Sequence, residues 1–195
     1  MKTHQVITTN PNRIDLDEAY MQMAEVWAKR SKANRKQVGA LIVKDRQIIS
    51  DGYNGMPSAD QDDTCETIDW FETIDWCSAG GWLSPDEIEK GWPHEGTYID
   101  WGGNEMSGRY RLITKPEVLH AESNALTKIA KNGGVGAAGA TLYVTMSPCF
   151  ECSKLIKQSK IAKVVYREAY RDTSGIDFLT KRGVQVVQLE EKICE

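Results

Sequence analysis

Four residues of this chain could act together on a metal ion and on water. His120-Ala121-Glu122 supplies an imidazole and a carboxylate, and Pro148-Cys149-Phe150-Glu151-Cys152 supplies two thiols. One imidazole and two thiolates can hold Zn²⁺ through three protein ligands, His120, Cys149 and Cys152, and leave the fourth position open for water. Glu122, two residues past His120, can move protons for that water without being a ligand. A C-x-x-C pair alone fits a redox site or a structural zinc equally well. Here an H-x-E segment precedes it and a proline leads into it. The alternative is a structural zinc, which normally takes four protein ligands and has no need of Glu122.

These residues need elements that bring distant parts of the chain together. Asp15 with Glu18 resembles a capping box, and Leu16, Ala19, Tyr20, Met23, Val26 and Trp27 recur at helical spacing. That predicts a first helix from Leu16 to Ala33. Val38–Val43 and Gln47–Tyr53 read as two strands of a hairpin turned at Lys44-Asp45-Arg46. After His120 the pattern is helix to Asn132-Gly133-Gly134, strand Ala140–Met146, helix Cys149–Ser159, strand Ala162–Tyr166, helix Ser174–Lys181 and strand Val184–Leu189. Right-handed crossovers make the last three strands parallel. The expected fold is α/β, with a five-stranded mixed sheet and helices on both faces. In that topology Cys149 opens a helix directly after a strand, at the carboxyl edge where open α/β sheets bind ligands. The helix start also favours thiolate over thiol.

Bulk properties narrow the function class. The chain has 195 residues and a formal net charge of −4, with a pI near 5.5. One domain over 1–195 is expected. The acidic balance argues against nucleic acid as the main partner, and no signal or membrane-spanning segment is visible. Five cysteines, two of them in the metal motif, suggest a reducing, cytoplasmic setting without a disulfide framework.

The H-A-E and P-C-x-x-C pair resembles the signature of the zinc-dependent nucleobase deaminases. Further matches narrow the resemblance to the deoxycytidylate deaminases of T-even-like phages, bacteria and animals. They are Ser31-Lys32, Val38-Gly39-Ala40, Gly52-Tyr53-Asn54-Gly55-Met56-Pro57, Glu117 to Ala125, Thr145 to Cys152 and Tyr166-Arg167-Glu168-Ala169-Tyr170. The Gly52–Pro57 stretch is the most specific of these. The resemblance implies a three-layer cytidine-deaminase-like fold and hydrolysis of dCMP to dUMP and ammonia, feeding thymidylate synthesis in a cytoplasm, the host's if the protein is viral. It implies zinc at His120, Cys149 and Cys152 and proton transfer by Glu122. It also implies substrate contacts at Ser31, Lys32, Asn54, Ala121, Ser147 and Tyr170. Asn54 would face the sugar, the Ser147 carbonyl would accept from the exocyclic amine, and Ser31 and Lys32 would meet the phosphate. Plainer readings stand beside these. Asn-Gly is a turn signal, Lys32 can be a solvated helix-end charge, and Tyr170 can be core. Relatives are often hexamers, activated by dCTP and inhibited by dTTP with Mg²⁺. That would make Gly52, Tyr53, Gly55, Met56 and Lys131 effector-site candidates in a homo-oligomer.

Residues 60–117 depart from the pattern. They hold five of the six tryptophans and a near-repeat, Glu66–Trp70 and Glu72–Trp76. A large irregular insertion is expected there. Cys65, Cys77 and His94 are candidates for a second, structural zinc, or are two ordinary cysteines in a Trp-rich packed loop. Competing readings of the whole chain are a deaminase of another base (cytidine, guanine, a riboflavin precursor or tRNA adenosine) and a non-catalytic zinc-bearing nucleotide sensor. The intact Glu122 argues against the sensor.

Overall fold

The computed structural model of the chain describes residues 13–58, 64–71, 94–99, 103, 105–133 and 135–190. In chain order the elements are α1 (Leu16–Ala28), β1 (Gly39–Lys44), β2 (Gln47–Tyr53), β3 (Glu66–Phe71), β4 (His94–Ile99), β5 (Glu105–Thr114), α2 (Ala121–Asn132), β6 (Thr141–Met146), α3 (Phe150–Gln158), β7 (Lys163–Glu168), α4 (Ser174–Lys181) and β8 (Gln185–Gln188). They fall into two compact units. One takes in residues up to 32, 37–55 and from 119 onward; the other takes in 33–36 and 56–118.

The first unit is built on a five-stranded sheet in the order β2-β1-β6-β7-β8. β1 runs antiparallel to β2 and to β6, whereas β6, β7 and β8 run parallel, as expected. Alternation along the strands fills two cores. Ala40, Ile42, Leu142, Val144, Val164 and Tyr166 bury against Ala121 and Ala125 of α2, Ile156 of α3 and Leu179 of α4. The intervening Leu41, Val43, Tyr143 and Val165 bury against Met21 and Ala24 of α1. The β1–β2 turn holds Asp45 and Arg46 at φ 50° and 64°, the left-handed geometry of a two-residue hairpin. The three-layer α/β fold is therefore as read from the chain.

α1 sits tight on β1 because residue 39 has no side chain: a Cβ there would lie 2.0 Å from the Ala24 carbonyl oxygen. Arg167 of β7 ties α1 down at two points, near its start and near its end. The guanidinium donates to Glu18 at 2.8 Å and to Glu25 at 3.0 Å, and also to the Leu189 and Glu190 carbonyls. This gives the Tyr166–Tyr170 match a structural meaning. The helix stops at Ala28, short of the expected Ala33. Arg30 and Ser31 close it with tight bonds to the Trp27 and Ala28 carbonyls, and Ser31 then turns inward, 4% exposed.

The second unit corrects the irregular reading of 60–117. It carries an antiparallel sheet in the order β3-β5-β4, in register from Glu66↔Thr114 and from Ile99↔Glu105. The repeat copy at 72–76, Cys77 and the tryptophans of 60–117 other than Trp70 lie outside the described residues. Cys65 is buried with Ala33, Val118 and Met56, and His94 opens β4 opposite Tyr110.

The close approach of α1 to β1 gives a direct test. Gly39→Ala should lower stability by about 1–3 kcal/mol through overpacking, read as a fall in the thermal unfolding midpoint. An unchanged midpoint would mean the helix shifts without cost.

Candidate metal and nucleotide site

Two helices begin at the same edge of the five-stranded sheet. β2 and β6 run in the same direction, and the chain after each leads towards a helix start. His120 is the N-cap of α2 and Cys149 the N-cap of α3; both have extended backbones, and neither side chain caps its own helix. The usual N-cap gives its side chain to the first free N–H groups. Here the imidazole and thiol turn to each other instead.

His120 Nδ1 lies 3.5 Å from Cys149 Sγ and 3.4 Å from Cys152 Sγ, and the three ligand atoms all fall within 4.8 Å of one another. Zinc bonds of about 2.0 Å to nitrogen and 2.3 Å to sulfur at a tetrahedral angle place N and S about 3.5 Å apart. The donor set therefore fits zinc in kind, number and spacing. His120 is exposed, Cys149 half-buried and Cys152 buried, so solvent reaches the group from one side. The Cys149 thiol is held down to about 4, chiefly by the Cys152 thiol donating to it, with His120 adding to this against the opposing effect of burial. Cys152 is pushed up, chiefly by that donation. His120 is raised, first by its contact with Cys149.

Glu122 stands in the first turn of α2 and is 4% exposed. Burial pushes its carboxyl up, while its own backbone N–H and His120 pull it partly back. A buried carboxyl beside a metal-ligating set can hold or release a proton without competing as an exposed charge.

The Asn54 loop lies at the same edge. Gly55 and Leu119 exchange both backbone hydrogen bonds, at 3.0 and 2.9 Å, directly before His120. Asn54 N–H donates to the Val38 carbonyl at 3.1 Å, and its side-chain Oδ1 accepts from Val38 N–H at 2.8 Å. The Ser31 hydroxyl donates to the Asn54 carbonyl at 2.7 Å. A hydroxyl has one proton, so in this arrangement Ser31 supports Asn54 and has no further proton to offer a phosphate. Lys32, beside it, is exposed. Ala121 is fully buried, and its carbonyl packs where a Cβ on Gly52 would lie, only 2.2 Å away. Gly52 is thereby a packing residue of the β2–α2 contact.

Ser147 and Tyr170 also meet. The Ser147 hydroxyl, buried, accepts from Tyr170 N–H at 2.7 Å, and Ser147 N–H donates to the Glu168 carbonyl. The Tyr170 ring is half-buried, with the Arg171 guanidinium 5.9 Å from its centre. Tyr53 stacks on Trp27, with ring centres 6.4 Å apart, and has the Lys128 ammonium 5.9 Å over its face. Lys131 is exposed in the last turn of α2. Met56 belongs to the other unit. The sequence reading gave no role to Ser50, Asp51, Asn124 or Lys128. All four join β2 to α2: Ser50 donates to the Ala125 carbonyl, Asn124 to the Tyr53 carbonyl, and Lys128 to the Asp51 carboxylate. The signal was present in Asn124 and Lys128, polar residues one helical turn apart.

Residues 14–168 match the family model described as the cytidine and deoxycytidylate deaminase zinc-binding region. The chain is 34% identical over 185 residues to the deoxycytidylate deaminase of Enterobacteria phage T4, covering 88% of this chain and 89% of that one. It is 34% identical over 155 residues to that of Mycobacterium phage D29, covering 80% and 96%. The crystal structure of dCMP deaminase from the cyanophage S-TIM5 in complex with dCMP and dUMP superposes with a TM-score of 0.63 at 34% identity, over 93% of this chain and 99% of that one. With a zinc-fitting triad at paired helix starts and these relatives across nearly its whole length, the chain belongs to the cytidine and deoxycytidylate deaminase family.

Proposed function

We propose that this protein hydrolyses dCMP to dUMP and ammonia, with Glu122 as the proton carrier. The observation that carries the reading is the juxtaposition of the His120–Cys149–Cys152 triad with a buried carboxyl on the turn after His120. The phage relatives named deoxycytidylate deaminase support the choice of substrate, as does the cyanophage structure holding dCMP and dUMP.

His120, Cys149 and Cys152 would hold zinc, which when bound would supply Lewis acidity that makes water a much stronger acid near neutral pH. Glu122 takes a proton from the attacking water and gives it to the ring nitrogen beside C4. It then takes the remaining proton from the new C4 hydroxyl and carries it to the departing amine, so that water's oxygen ends as the C4 carbonyl and the C–N bond breaks to ammonia. Asn54 orients the sugar, and Ala121 and the Ser147 carbonyl face the base. Tyr170 walls the pocket, and Ser31 supports the Asn54 loop while Lys32 serves the phosphate. The whole chain acts as one deaminase domain with 60–117 inserted. We also assign it to a cytoplasm, as a homo-oligomer of hexameric type. It is regulated by dCTP and by dTTP with Mg²⁺ through the Gly52–Met56 segment and Lys131. Among the described residues no helix is long and apolar enough to cross a membrane. The second-zinc reading of Cys65, Cys77 and His94 rests on Cys77, outside the described residues.

Ammonia release from dCMP, deoxycytidine and dCTP, each with and without dTTP and Mg²⁺, tests the reading. Turnover of dCMP alone, suppressed by dTTP, is expected. Turnover of deoxycytidine in preference to dCMP would remove the phosphate assignments. Glu122→Gln should keep one zinc per chain and lose about 10²–10⁴-fold in kcat, the usual worth of a positioned proton carrier; a loss of zinc would make Glu122 a ligand instead. Metal analysis of Cys149→Ser should find the site empty, and full zinc content would overturn the ligand set. Asn54→Ala should raise KM for dCMP more than it lowers the unfolding midpoint. Unchanged kinetics would return Asn54 to a turn role.

A further inference from the structure

The peptide unit between Tyr53 and Asn54 is gripped at both ends. On one side Asn54 N–H donates to the Val38 carbonyl at 3.1 Å. On the other the Tyr53 carbonyl accepts from the Asn124 side-chain amide at 2.9 Å. Asn124 is half-buried in α2, two residues past Glu122. The backbone pair Gly55–Leu119 holds the loop near His120 and Val38 anchors the Asn54 side of the peptide to β1, which leaves the Tyr53 carbonyl as the point where α2 takes hold of it. Tilting that peptide plane swings the Asn54 side chain. Among the described residues Asn124 is the side chain that reaches from the helix carrying Glu122 to this peptide, across a sequence separation of 71.

We propose that Asn124 is a positioning residue. By donating to the Tyr53 carbonyl it fixes Asn54 relative to Glu122, and so matches sugar recognition to the reacting carbon. The proposal rests on the reading of Asn54 as the sugar contact. It takes its force from chemistry: the amide donates to a carbonyl, so an isosteric carboxylate in its place has no proton to offer and repels the acceptor. A role confined to folding would cost stability and leave substrate recognition alone.

The test uses zinc-loaded full-length enzyme carrying Asn124→Ala, Asn124→Asp, Asn54→Ala, and Asn124→Ala with Asn54→Ala. Steady-state kinetics are read with dCMP and with 2′,3′-dideoxycytidine monophosphate, alongside zinc content. Both Asn124 variants should keep full zinc, hold kcat within a few-fold and raise KM for dCMP about five- to tenfold, the equivalent of one net hydrogen bond. KM for the dideoxy analogue, which lacks the sugar hydroxyl, should change little. Asn124→Ala should add nothing in the Asn54→Ala background, because it acts through Asn54. Three outcomes overturn the proposal: KM unchanged while only the melting point falls, additive effects in the double variant, or failure of both Asn124 variants to fold. If Asn54→Ala itself leaves KM unchanged, the sugar-contact reading fails first and the proposal falls with it. If Asn54→Ala raises KM and Asn124→Ala does not, the proposal alone fails.

Discussion

Two helix starts meeting at one sheet edge are the constraint on which this site depends. A metal ligand at an N-cap faces a competing demand, because the first turn's N–H groups attract any nearby acceptor. His120 and Cys149 do not cap their helices. Their extended backbones aim imidazole and thiol at each other, and the positive ends of both helices favour the thiolate. Cys152, one turn into α3, completes the set on the buried side. Changing either helix start moves a ligand by its full side-chain reach, so the packing beneath α2 and α3 is part of the metal site.

That packing is specific where it touches β2. Gly52 admits the first turn of α2 against the strand, with the Ala121 carbonyl and Ala125 N–H in the space a side chain would fill. Ser50, Asn124 and Lys128 then add bonds on either side of this contact. The strand that ends in Asn54 and the helix that begins at His120 are held as a pair. The Asn54 segment and the helix turn carrying Glu122 are thereby held together by backbone packing and by the Asn124 side chain, with little conformational entropy left to lose on binding. On the opposite face Arg167, only 9% exposed, draws α1 and the chain after β8 together through Glu18 and Glu25. A nearly buried guanidinium is tolerated because its donors are satisfied.

Much of the sheet could be read from the chain because the residues that form it repeat at short range. Leu41 and Val43 alternate with Ala40 and Ile42, and the same period returns in 141–146 and 163–168. Helices between those strands then dictated parallel order. The sheet in 60–117 was not legible: β3 pairs with β5 across a long gap, and Ile68 and Ile113 stay exposed, so no buried alternation marks it. The end of α1 was misplaced because Lys29 to Ala33 have no helix breaker. Tertiary contacts pull Ser31 inward instead.

The candidate metal ligands and the candidate proton carrier were legible in the chain alone, because zinc chemistry demands particular atoms and H-x-E with P-C-x-x-C supplies them. The chain also determined the layered α/β fold, because strand and helix periods are local properties. That His120 presents Nδ1 to the thiols depended on how the folded chain brings α2 and α3 together. Only the tertiary structure decided that the Ser31 hydroxyl serves the Asn54 carbonyl, and that Asn124 reaches the strand before Asn54. A side chain's hydrogen-bond partner depends on which distant backbone groups folding brings within about 3 Å of it, and no local pattern of residue types encodes that.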